Sequence, residues 1–161
     1  LEEAETYRTT FLNTLYPGLP LWHERRKEEA RKYGFVRSAY GFIRRTPNIN
    51  SSDLYKMGED ERIAVNTGIQ SASNDSALLA ALEARQSGFV DDNRAQLVLF
   101  IHDELIYAVD EDMVDEFVPG LLGFMENIPT KRCGFEFSVP LIADAKIGKS
   151  LAEMSDYEVK R

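Results

Sequence analysis

The spacing of apolar positions makes the first third of the chain helical. Ala4, Tyr7, Phe11 and Leu15 recur every three or four residues, which predicts an amphipathic helix over Leu1 to Leu15. Tyr16-Pro17-Gly18 ends it, and Pro20 suits the first turn of a second helix, Leu21 to Tyr33, closed by Gly34. Phe35 to Ala39 reads as extended, Gly41 breaks that run, and Asn48 to Gly58 reads as an ordered, turn-rich loop. Glu59 to Gln86 is the longest helical candidate, with Val65, Ile69, Ala72, Leu79 and Leu82 as its apolar stripe. Arg62, Asn66, Gln70 and Ser73 form a separate polar stripe, within about 80° of one another at 100° per residue. Gly68 lies in the same helix and costs about 1 kcal/mol against Ala, so a close approach is expected there.

Beyond Asp91-Asp92-Asn93 the period changes. Gln96 to Ile101 and Leu105 to Val109 are two apolar, β-prone runs separated by His102-Asp103-Glu104, which predicts a β-hairpin with the acids at its tip. Glu111 to Met125 reads as a helix with Val114, Phe117, Val118, Leu121 and Leu122 inward, kinked or broken early at Pro119. Phe135 to Ala145 alternates and then runs apolar, which predicts a closing strand, and Gly148 starts a short terminal segment. The fold class expected is α+β, with a small antiparallel sheet (the β-hairpin plus the closing strand) packed with helices.

Composition narrows this picture only a little. At 161 residues, 43% hydrophobic and 29% charged, the chain is long enough for one globular, soluble domain. No apolar run reaches the roughly 20 residues of a membrane span. The start has no signal-peptide pattern, and Leu1 in place of Met reads as a processed chain, an excised domain or an incomplete sequence. One cysteine, Cys133, cannot form an internal disulfide. The net charge of −8 alone argues against nucleic acid, but it is unevenly spread. From His23 to Arg62 there are ten Lys/Arg against seven Asp/Glu, and from Asp91 to Glu126 Arg94 stands against ten acids. Two ordinary solvated faces would give the same pattern.

Two polar constellations carry candidate chemistry. Adjacent carboxylates at a hairpin tip raise a negative potential that a hard divalent cation such as Mg²⁺ relieves, usually with substrate phosphates completing its shell. By themselves, Asp103-Glu104 are more often a plain polar turn, and a lone His102 is more often a hydrogen-bonded structural residue than a ligand. If strand geometry persists, Asp103 and Glu104 face opposite ways, so one faces a site and the other supports it. The Arg/Asn/Gln stripe presents donors, and the DNA minor groove presents acceptors whichever way an A·T pair lies. A solvated helix face is the alternative.

Taken together, five stretches in order resemble the C-terminal part of a family A, DNA polymerase I-like, DNA polymerase. EEAETYRTTFLNTLYPGL resembles the family's helix ending in a tyr-pro-gly turn. YGFVRSAYGFIRRTPNINSSD resembles its gly-arg-arg to ser-asn stretch, and ERIAVNTGIQSASND its glu-arg-X-ala-X-asn helix. IHDELIYAV resembles the palm his-asp-glu motif, and MENIPTKRCGFEFSVPLIADAKIGKSLAEM the closing strand and end. The resemblance implies a DNA-directed DNA polymerase, with residues 1–58 as the helical end of the fingers and a connecting loop and 59–161 as a palm portion. It implies that Asp103, with Glu104 beside it, holds catalytic Mg²⁺, two ions being expected in the complete enzyme. His102 would sit close to the primer terminus. Arg62, Asn66 and Gln70 would line the duplex, Gln70 reaching the minor groove, and Arg44, Arg45 and the Asn48 to Asp53 loop would lie near the template-primer backbone. The partners implied are template-primer DNA and dNTPs, with no membrane, in the cytoplasm of a bacterial or phage-infected cell.

Departures from the family pattern suggest a distant, phage-like member. Gly68 stands where Pro is frequent, and Ser71-Ala72-Ser73-Asn74 replaces gly-thr-ala-ala. Ala108 replaces a frequent Glu, and Ser150-Leu151 replaces asn-trp. The family's second metal-binding Asp and its dNTP-gripping fingers helix have no counterpart here. The chain is therefore expected to be a fragment or one half of a split polymerase, inactive alone, with an apolar surface open where the missing segment belongs. A non-catalytic nucleic-acid-binding or assembly module derived from a polymerase is the rival reading, and a single-subunit RNA polymerase palm ranks below it.

Overall fold

The computed structural model describes residues 2–91 and 93–158. By internal contacts the chain forms two compact units, Leu1–Ala72 and Ser73–Arg161. Their elements match the α+β expectation: helices with small antiparallel sheets.

In the first unit α1 (Glu2–Thr10) runs into a π-helical turn, Phe11–Leu15. Helix α2 (Gly18–Tyr33) follows, with Pro20 in its first turn. Gly34 closes it at φ 74°, a left-handed conformation in which a Cβ is strained, and its N–H bonds the Ala30 carbonyl at 2.8 Å. Strand β1 (Phe35–Arg37) pairs antiparallel with β2 (Ile43–Arg45), so the stretch after Gly41 folds back as a short hairpin. Helix α3 (Leu54–Gln86) begins five residues earlier than expected. The reason is a cap. Asp53 Oδ1 accepts the N–H groups of Tyr55 (3.0 Å) and Lys56 (3.4 Å), satisfying two donors that have no partner inside the helix. Ala30, Val36, Ile49 and Ala64 form the small core of this unit. A Cβ on Gly68 would stand 2.8 Å from the Trp22 ring, which is the close approach its helical position predicted.

In the second unit β3 (Ala95–Ile101) and β4 (Glu104–Val109) pair antiparallel, with an irregularity between Leu97 and Leu99. Helix α4 (Val114–Glu126) continues through Pro119, so of the kink or early break expected there the break does not occur, and it buries Phe117 and Leu122. Phe89 stacks on Phe117 with centroids 5.3 Å apart and also meets Phe124, while Tyr107 meets Phe117 at 5.2 Å. Gly120 makes room for that cluster, since a Cβ there would lie 2.3 Å from Phe89 Cζ. Strand β5 (Lys146–Ile147) pairs with β6 (Ser155–Asp156).

Two further expectations fail. The closing strand over 135–145 does not form, and the three sheets among the described residues are two-stranded. Alternation prepares a face, but a strand also needs a partner for its backbone groups, and this segment pairs with none of those strands. The α3 stripe is shifted as well. The apolar residues the helix buries are Ala64, Ala77, Ala80, Ala81 and Ala84; Val65, Ala72 and Leu79 of the expected stripe are half-buried, and Ile69 (58% exposed) and Leu82 (43%) face outward. Strand β3 is likewise open, with every residue from Leu97 to Ile101 exposed. Among the described residues no helix is long and apolar enough to cross a membrane.

Gly68→Ala gives a sign test. Helix propensity alone favours Ala by about 1 kcal/mol, whereas overpacking costs about 1–3 kcal/mol. We expect net destabilisation by denaturant unfolding, turning to stabilisation in a Trp22→Leu background. Stabilisation in both backgrounds would contradict the Trp22 contact.

Candidate active site

The tip of the β3–β4 hairpin follows from its register. Ile101 pairs with Glu104, so His102 and Asp103 are the whole turn. A two-residue loop of this kind needs positive φ at its first central residue, and His102 supplies φ 56° without being glycine. Glu104 therefore opens β4 and does not share the tip, which corrects the expectation of three polar residues there. All three side chains are exposed.

Asp103 is held from a distance of thirty residues. Ser73 Oγ, on α3, donates to its Oδ2 at 2.6 Å, a length typical of a hydroxyl on a charged carboxylate. That hydrogen bond, then the residue's own backbone N–H, and then the charge on His102, hold the Asp103 carboxyl below the ordinary aspartate range. At the hairpin's other end Arg94 binds Asp110 (2.9 Å) and Asp112 (2.6 and 2.7 Å), so the strands are tied across their base.

The remaining site residues lie in the first unit. Arg62, Asn66 and Gln70 are exposed on α3, as their common stripe predicts. Arg44 and Arg45 are exposed on β2, paired with Val36 and Phe35, and as strand neighbours they point to opposite faces. The Asn48 to Asp53 loop is fastened to helices. Asn48 N–H donates to the buried Asp60, Asn50 Nδ2 to the Arg31 carbonyl at 3.0 Å, and Asp53 caps α3. Arg31 and Lys27 of α2 both reach Glu61 of α3. Sequence reasoning missed the partner of Ser73, although the hydroxyl at that position was itself a departure from the motif.

An exposed, ionised carboxylate with hard oxygen donors suits Mg²⁺ as one ligand of several. Among the described residues no group of three or more His, Cys, Asp or Glu converges on one point.

The depressed Asp103 pKa fixes a sign. The Ser73 contact stabilises the fold above the ordinary aspartate pKa, and that contribution is lost as pH falls through the depressed value. In a carboxyl-carbon NMR titration Asp103 should have a midpoint below that of an unstructured aspartate. Ser73→Ala should move it upward, and identical midpoints in the two proteins would refute the contact.

Comparison with known proteins assigns the lineage. Residues 1–153 match the family model described as DNA polymerase family A. The chain is 32% identical over 117 residues to a DNA polymerase of Escherichia phage T5, covering 71% of this chain and 14% of that protein. It is 30% identical over 152 residues to DNA polymerase I of Lactococcus lactis, covering 94% of this chain and 16% of that protein. Among solved structures, the POL domain of Pol1 from M. smegmatis, in complex with DNA primer-template and dNTP, superposes with a TM-score of 0.66 at 25% identity. That match covers 87% of this chain and 24% of the solved one. The chain thus spans about a sixth of the length of these curated relatives. With the family model matched over nearly all of its length, this chain belongs to DNA polymerase family A.

Proposed function

We propose that the chain is the C-terminal portion, or one half of a split form, of a DNA-directed DNA polymerase. In that reading residues 1–58 are the end of the fingers with a connecting loop, and 59–161 are a palm portion. The reaction is attack of the primer 3′-oxygen on the dNTP α-phosphorus, with pyrophosphate leaving. The observation that carries the reading is the family match along residues 1–153, combined with an ionised Asp103 at the hairpin tip.

Asp103 would ligate the cation and Glu104 would stand beside it. Two Mg²⁺ ions, when bound in the complete enzyme, would supply charge stabilisation for the in-line displacement. His102, next to Asp103 in the turn, is assigned to the primer terminus. Arg62, Asn66 and Gln70 donate hydrogen bonds toward the duplex, Gln70 in the minor groove, where acceptors are shared by all pairs. Arg44 and Arg45 supply positive charge for template-primer phosphates. The protein's own net charge of −8 confines such contacts to local basic surface.

The chain alone is inactive in this reading, because one pair of carboxylates does not make a two-ion clamp. A further polymerase segment, from the same chain or a separate subunit, supplies the second aspartate and the dNTP grip. The open apolar side chains of β3 support such a segment lying against them.

In the completed enzyme Asp103→Ala should lower single-turnover extension on the order of 10³-fold while leaving primer-template affinity unchanged. Near-normal turnover would remove the metal role. Gln70→Ala should slow extension and flatten the difference between matched and mismatched primer ends; equal extension by parent and variant from both ends removes that assignment.

A further inference from the structure

We propose that Ser73 is a positioning residue that sets the orientation of the Asp103 carboxylate for a divalent cation. The inference rests on the reading of Asp103 as a cation ligand and deepens it.

The geometry is specific. A serine inside a helix ordinarily turns its hydroxyl back to the carbonyl four residues earlier. Thr67 does this, donating to the Ile63 carbonyl at 2.7 Å. A hydroxyl has one proton to donate. Ser73 spends its proton on Asp103 Oδ2, thirty residues away, at 2.6 Å. Both residues belong to the same compact unit.

The backbone of Asp103 is already fixed. The pairing of Ile101 with Glu104 leaves it as the second residue of a closed two-residue turn. What remains free is the side chain, which is exposed and so receives little packing. Rotation of an exposed carboxylate costs little, and a cation binding it must stop that rotation. A hydroxyl delivered from a helix backbone stops it beforehand. Partners of this kind around metal ligands typically change affinity or activity by about 10- to 100-fold when removed. The motif this helix resembles carries ala at the position of Ser73, so the hydroxyl is a property of this chain and its packing here, not of the helix pattern.

The test uses the complete polymerase bound to primer-template with a non-extendable 3′ end and dNTP, and it reads free Mn²⁺ by electron paramagnetic resonance. Ser73→Ala should weaken Mn²⁺ binding about tenfold. It should also move the Mg²⁺ midpoint of extension, measured with extendable primer, by a similar factor. The rate at saturating Mg²⁺ should stay close to the parent's. Ser73→Thr keeps the hydroxyl and should return both values to within about twofold of the parent. Alanine raises helix propensity, which partly offsets the lost contact, so loss of the fold is not the expected cause of any change; a cooperative melt that starts well above the assay temperature confirms this. Unchanged Mn²⁺ affinity in Ser73→Ala, or Ser73→Thr behaving like Ser73→Ala, overturns the proposal. Asp103→Ala is the control that separates the two claims. If it keeps both Mn²⁺ binding and extension, the cation reading of Asp103 has failed. If it loses them while Ser73→Ala changes nothing, only the positioning role has failed.

Discussion

Two strands joined by two residues leave the chain no slack, and the second unit is organised around that constraint. With Ile101 opposite Glu104, the turn consists of His102 and Asp103. His102 is driven to a positive φ that glycine would accept more cheaply, and Asp103 is carried to the tip. A polar pair there costs no burial. A longer loop would let the carboxylate wander, whereas the tight turn gives it one backbone position. Ser73 then restricts its side chain. Arg94 ties the hairpin at the opposite end to Asp110 and Asp112, and the Phe89, Phe117, Phe124 and Tyr107 cluster packs α4 in the same unit.

Packing elsewhere is sparse, and the sparseness follows a pattern. Helix α3 buries alanines and leaves Ile69 and Leu82 outward. Strand β3 leaves Leu97 to Ile101 open although it is the longest strand. Each large apolar side chain fully buried contributes about 1.5–3 kcal/mol, so these residues hold stabilisation that the described residues do not use. An apolar strand beside a carboxylate tip is what a partial sheet offers to a covering segment, and it is consistent with a chain that spans about a sixth of its curated relatives.

Much of this was legible in the sequence where a local signal and a tertiary need coincide. The hairpin showed itself because apolar runs flank three polar residues. Gly34 showed itself because a helix end and a left-handed residue coincide, and Gly68 because a glycine inside a helix asks for a neighbour, here Trp22. Failures occurred where the signal was short or the partner distant. Gly58 reads as the end of a loop, but the Asp53 carboxylate starts α3 before it. Ile43–Arg45 is too short to show a period, so the β1–β2 hairpin was hidden. The alternation over 135–145 describes a face with no strand pairing among the described residues. Four of the five residues of the α3 stripe are larger than alanine, whereas the apolar residues the helix buries are all alanines. Of the candidate site, the exposed Arg62, Asn66 and Gln70 stripe came from periodicity alone. The Ser73–Asp103 contact did not, since no local rule joins residues thirty apart.

The central claim is that Asp103 is one ligand of a cation site completed from outside these residues. Iron-directed cleavage tests it most directly. Fe²⁺ replaces Mg²⁺ in the complete polymerase on primer-template, and ascorbate with peroxide cuts the peptide chain near the ion. The predicted cuts fall within residues 101–105 and within a second segment outside residues 1–161. Cuts that spare the hairpin tip, or that fall entirely within residues 1–161, would contradict it.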